Sequence, residues 1–110
     1  MEDDNRQAAE DIAMQIIANA GDERSKAFAA LQAAKAGRFD EADSLLKAAD
    51  ESGDEAHKVQ FELLTRFANG ERIEENVLLV HAQDHVMCSQ LAHELIVEII
   101  QLYRDRKKGE

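Results

Sequence analysis

The sequence predicts an all-α fold, an antiparallel up-down-up bundle of three long helices, and three observations carry that expectation. None of the 110 residues is proline and only 5% are aromatic, while Ala, Leu, Ile, Glu and Lys recur throughout, a bias toward helix without sheet. Apolar residues repeat at helical spacing over three long stretches. Glycines help to separate those stretches, and connections so short make neighbouring helices antiparallel. The length fits one small domain, 1–110, in which 45% hydrophobic residues can fill a core but not enclose a roomy substrate cavity.

In the first stretch, Ala9, Ile12, Ala13, Ile16, Ile17, Ala20, Ala27, Phe28, Leu31 and Ala34 hold one helical phase on both sides of Gly21. The spacing predicts a single helix from about Asn5 to Ala36 with a local defect at that glycine, stopped by Gly37. A second helix is expected from Phe39 or Asp40, where acidic residues suit the positive end of the helix dipole. It carries Ala42, Leu45, Leu46, Ala49, Ala56, Leu63, Leu64 and Phe67 to a stop at Asn69-Gly70. A third runs from about Glu75 to Lys107 and ends in "YRDRKK", whose cations complement the negative end of the dipole. The piece "KAGRFDEADSLLKAA" is similar to the start of the second helix of a tetratricopeptide repeat. The period of about 34 residues does not recur, however, and the helices are about twice too long for that array.

A net charge of -10 repels phosphate backbones and anionic lipid, which argues against nucleic acid as a partner. No apolar run approaches the roughly 20 residues of a membrane span, and "MEDDNRQ" is acidic where a signal peptide would be basic. The single cysteine, Cys88, has no internal disulfide partner, in keeping with a reducing compartment. A cytoplasmic location is expected.

The third stretch carries the chemistry. On a helical wheel with His81 at the origin, Val77, His85, Cys88, Ala92, Leu95, Ile96, Ile99 and Tyr103 fall within about 60°, bordered by Asp84, Leu91 and Leu102. His81, Asp84 and His85 therefore interrupt the main apolar face of this helix. A second arc, roughly 100° to 160° round, holds Leu79, Ala82, Val86, Val97 and Ile100. Only Gln83, Gln90, Glu94 and Gln101 leave a polar strip. A helix so apolar wants neighbours on every side, and three helices leave one side open, so an oligomer is expected with this helix supplying most of its interface. Cys88 is expected on the buried face as a small hydrophobe. Gln60, in the middle of the second helix's stripe, is expected to be a buried amide with a partner across the bundle near the histidines. His57 lies at the edge of that stripe, His93 on the second arc reads as ordinary, and Met14 and Met87 read as packing residues.

The residues alone leave three readings of His81, Asp84 and His85. In a metal site, histidines at i, i+4 point at one ion and Asp84 supplies oxygen. A zinc protease would need glutamate where Ala82 stands, and a carboxylate-bridged di-iron bundle would need Glu-x-x-His where Asp54 precedes His57 and Leu78 precedes His81. In a phosphoryl carrier, one imidazole keeps a lone pair near neutral pH for attack on phosphorus, and its neighbours donate hydrogen bonds to the phosphoryl oxygens. The third reading is a scaffold without chemistry.

"VHAQDHVMCS", Val80 to Ser89, closely resembles the active-site segment of the lactose/cellobiose/chitobiose class of enzyme IIA in the bacterial phosphoenolpyruvate-dependent sugar phosphotransferase system. "IIANAGDERSKAFAALQAAKAGRFDEA" and "DEAHKVQFELL" resemble that family's first helix and turn and its second-helix motif, so the likeness covers nearly the whole chain. Cys88 stands where a threonine is common. The resemblance implies that His81 is phosphorylated by the carrier protein HPr and passes the group to a cysteine of the cognate enzyme IIB. The sugar itself is bound by the membrane-embedded enzyme IIC. It further implies a homotrimer, a nine-helix bundle, in which Asp84 meets its symmetry mates on the axis around a divalent cation such as magnesium. His85 is the candidate to assist, whereas the wheel points Gln83 away from His81.

Overall fold

The computed structural model describes residues 2–73 and 76–109, and these form three antiparallel helices, α1 (Glu2–Lys35), α2 (Phe39–Ala68) and α3 (Val77–Lys108). The expected fold class is what the chain adopts, as a rod 63 Å long and about 20 Å across. α1 begins three residues earlier than expected and passes Gly21 unbroken. A Cβ at Gly21 would meet no neighbour, so that glycine marks no close contact and no defect. The expected start of α3 at Glu75 lies outside the described residues.

Both turns follow from glycine. Gly37 adopts φ +81° and Gly70 φ +83°, the left-handed region that a side chain resists. At the first turn Arg38 N–H donates to Ala33 O (2.8 Å) and Gly37 N–H to Ala34 O (3.0 Å), and at the second Glu71 N–H donates to Arg66 O (3.1 Å) and Gly70 N–H to Phe67 O (3.0 Å). Each pair satisfies carbonyls that the helix end would otherwise orphan.

α1 is the spine. Its inward face is mostly alanine (Ala9, Ala13, Ala20, Ala27, Ala30, Ala33, Ala34), which lets both other helices approach closely, while α2 and α3 touch each other little. One core cluster gathers Ile16, Leu63, Leu79 and Val86 near the α3 N-terminus, and a second gathers Ile96 and Ile100 against alanines of α1 and α2.

The face that α3 turns to this core is Leu79, Ala82, Val86, Ser89, His93, Ile96 and Ile100, most of the second arc of the wheel together with Ile96 from the border of the first, while Val97 is left exposed. The larger arc bearing His81 points away from the bundle. Cys88 is accordingly exposed rather than buried, as are Met14 and Met87. Apart from Ile96 at its border, which packs in the core, that arc faces away from α1 and α2.

Candidate active site

α3 opens with Asn76, whose backbone is extended and whose side-chain Oδ1 accepts the Leu79 N–H at 2.8 Å. That cap fixes the first turn, and His81 stands immediately beyond it. His81 and His85, one turn apart, bring their ring centroids to 4.6 Å with the planes at 84°, an edge-to-face pair. His81 is exposed and His85 half-buried. No described side chain hydrogen-bonds to either ring. An imidazole in that state keeps a nitrogen lone pair available to an incoming electrophile.

Asp84 is exposed on the same arc, and its Oδ1 accepts from Cys88 Sγ at 3.7 Å. Among the described residues, no three His, Cys, Asp or Glu side chains converge as metal ligands, so His81, Asp84 and His85 form no metal centre within one chain. The same arc carries large uncovered apolar side chains: Val77, Leu91, Leu95 and Leu102 are each more than half exposed. Val77, His81, Asp84, Cys88, Leu91, Leu95 and Leu102 follow the alternating four- and three-residue spacing of a coiled-coil seam, with one step of seven at the end.

On the opposite side, Gln60 Nε2 donates to Gln83 Oε1 at 2.6 Å, supplying the partner expected for Gln60 from within the His-Ala-Gln-Asp-His segment. Gln83 thus ties α3 to α2 and does not face His81. His57, exposed, bonds Gln90 Oε1 through Nε2 at 3.0 Å, a structural tie remote from the imidazole pair. His93 is where the spacing misled. It is buried, with Nδ1 at 2.7 Å from Glu23 Oε2 and Nε2 at 3.1 Å from Asp50 Oδ1. Neither carboxylate is near it in sequence, so no local pattern pointed to the cluster.

Three antiparallel helices thus present an imidazole pair at the surface of the bundle rather than in an enclosed cavity. The chain matches the family model described as the lactose/cellobiose-specific IIA subunit of the PTS system over residues 11–104. It is 45% identical over 100 residues to the lactose-specific EIIA component of Streptococcus mutans, covering 91% of this chain and 96% of that one. The crystal structure of the cellobiose-specific enzyme IIA from Bacillus anthracis is similar with a TM-score of 0.90 at 45% identity, covering 93% and 94% of the two chains. A chain in the solution structures of the IIA(Chitobiose)-HPr complex is similar with a TM-score of 0.79 at 39% identity, covering 90% and 96%. The chain belongs to the lactose/cellobiose-specific IIA family, whose members act as phosphotransferase carriers in sugar transport. No helix among the described residues is long and apolar enough to cross a membrane.

Proposed function

We propose that this chain takes a phosphoryl group from HPr on His81 and passes it to a cysteine of its cognate enzyme IIB, during uptake of a β-linked di- or oligosaccharide. The observation that carries this reading is the His81–His85 pair, standing uncovered at the capped start of α3 on a face that has nothing else to do within one chain. A ring nitrogen of His81 attacks phosphorus, the new P–N bond forms as the donor's bond to phosphorus breaks, and the leaving electron pair returns to the donor. In the second step a thiolate of enzyme IIB attacks the same phosphorus and the imidazole leaves with its electrons. His85, one turn away, is placed to donate a hydrogen bond to the phosphoryl oxygens.

The same face argues for a homotrimer. Burying the seam from Val77 to Leu102 between parallel copies of α3 removes a row of large apolar side chains from water. On a threefold axis three Asp84 carboxylates meet, and like charges in a water-poor interface recruit a cation, for which oxygen donors suit magnesium. The ion serves assembly and takes no part in transfer.

The test is incubation with phosphoenolpyruvate, enzyme I and HPr. One acid-labile, alkali-stable phosphate per chain is expected, and none in His81→Ala. A folded His81→Ala that still accepts phosphate while His85→Ala does not would exchange the two roles and overturn the assignment.

A further inference from the structure

The end of the rod away from His81 gathers cations. α1 and α3 both stop there and α2 begins, which brings Lys35, Arg38, Arg104, Arg106, Lys107 and Lys108 to one pole. Two of these charges are balanced, because Glu41 holds Arg38 at 2.7 Å and Asp43 holds Arg104 at 2.6 Å. Lys35, Arg106 and Lys107 instead line a cleft of about 390 Å³ together with Gly37, Phe39 and Tyr103, and no carboxylate among the described residues lines it. None of the ion pairs among the described residues involves those three cations. Asp105, next to Arg106 in the chain, accepts from Gln101 Nε2 at 2.9 Å.

Complementing the helix ends does not need so much charge. The ends of α1 and α3 bring about half a negative charge each and the start of α2 about half a positive one, far less than three cations. The cleft is also set in place before anything enters it. Lys107 Nζ stands 5.5 Å from the centre of the Phe39 ring, whose other cation is the Arg104 guanidinium at 5.0 Å, and lies 3.6 Å from the point that a Gly37 Cβ would occupy. The φ of +81° at Gly37 keeps that point empty. An ammonium already held over a ring loses little freedom when an anion arrives. The net charge of -10 opposes an extended polyanion lying along the 63 Å rod, but physiological salt screens charges beyond about 8 Å. A small anion at this pole therefore meets the local cations alone.

We propose that the cleft binds a small phosphate monoester. Its dianionic head sits among Arg106, Lys107 and Lys35, with the Arg106 fork on two oxygens, and its carbon skeleton lies against the Tyr103 and Phe39 rings. The cations select the phosphate and the rings select the ester, and a sugar phosphate meets both demands. Arg106 follows His81 by 25 residues on α3, about 37 Å at the helical rise, so the bound ester is out of reach of His81. No bond to phosphorus is made or broken in the cleft.

The test is an NMR titration of the full, nitrogen-labelled chain at about 0.15 M salt, with glucose 6-phosphate, inorganic phosphate, sulfate and phosphatidylglycerol vesicles as separate probes. Glucose 6-phosphate should give saturable shifts at Gly37, Phe39, Tyr103, Arg106 and Lys107, and should bind about fivefold more tightly than inorganic phosphate. Arg106→Gln and Lys35→Gln, on different helices, should each weaken it about tenfold. Tyr103→Leu should remove its advantage over inorganic phosphate. The site is overturned if no saturable shift appears at those residues, or if sulfate binds as tightly as glucose 6-phosphate, which would mean an adventitious ion only. It is equally overturned if the vesicles alone bind, which would make the pole a membrane contact. The last contrary result is a pair of charge variants that leave the titration unchanged, and a loss of assembly in them by sedimentation would then assign the cations to a contact between copies.

Discussion

Among the described residues Glu23 is the one carboxylate almost wholly shut from water, and the space for it exists because residue 53 has no side chain. A Cβ at Gly53 would overlap the Glu23 carboxylate, with Cδ only 2.7 Å away. That group cannot simply move aside, because His93 holds it at 2.7 Å. Gly53→Ala should therefore cost about 1–3 kcal/mol, from steric displacement and a weakened buried bond together. In a Glu23→Ala background, where the clash is gone, the same substitution should cost much less. Urea unfolding of the four proteins at one fixed concentration measures the coupling, and equal costs in both backgrounds would remove Glu23 from the account. Nothing in "GDERS" or "ESGDEAH" announces this contact. Glu23 and His93 are 70 residues apart, and a glycine inside a helical pattern is legible only as an anomaly until the group that fills its space is seen.

At the scale of the element, the three helices were legible because their signals are local: apolar period, an acidic first turn in α2, and glycines at two turns. α2 shows how weak any one signal can be. Its first residue follows Arg38, which makes no side-chain cap, yet the helix begins where expected because Phe39 is pinned beneath Arg104 (5.0 Å) and Lys107 (5.5 Å) and Arg38 bonds Glu41 at 2.7 Å. α3 has the reverse arrangement, with no acidic first turn but a bonded Asn76. Asn76→Ala should cost about 1 kcal/mol, and Asn76→Asp should keep most of that. The Leu79 amide should exchange faster in Asn76→Ala than in the wild type. Unchanged exchange at Leu79 would show that the cap does not hold the turn that precedes His81.

At the scale of the whole molecule, the uncovered arc of α3 decides what the chain needs from its surroundings. A row of large apolar residues on one exposed helix is an interface awaiting a partner, and Asp84 is the polar interruption that any symmetric partner must accommodate. Under the trimer proposed here, Asp84→Leu replaces three converging carboxylates and their ion with apolar contacts, an exchange that is often neutral or stabilising. The variant should remain trimeric, lose all response to chelator, and still accept phosphate at His81. Wild-type trimers should keep HPr-dependent transfer in chelator once enzyme I has been removed. Sedimentation equilibrium with and without chelator is the measurement, and either a monomeric wild type at micromolar concentration or folded Asp84→Leu monomers would place Asp84 elsewhere.

The sequence by itself determined the helices, their turns and the grouping of His81, Asp84 and His85 on one arc of α3, because backbone propensity and hydropathy period act within a few residues of one another. What only the tertiary structure decided is which of α3's two apolar arcs faces inward. Hydropathy favours the larger arc, but the alanine face of α1 brings α3 in close, and the arc carrying the small residues Ala82 and Ser89 is the one that fits there. That choice turns His81, Asp84 and Cys88 outward and carries His93 inward to Glu23. Packing between segments distant in the chain sets both outcomes, and a periodicity read along one helix contains no term for it.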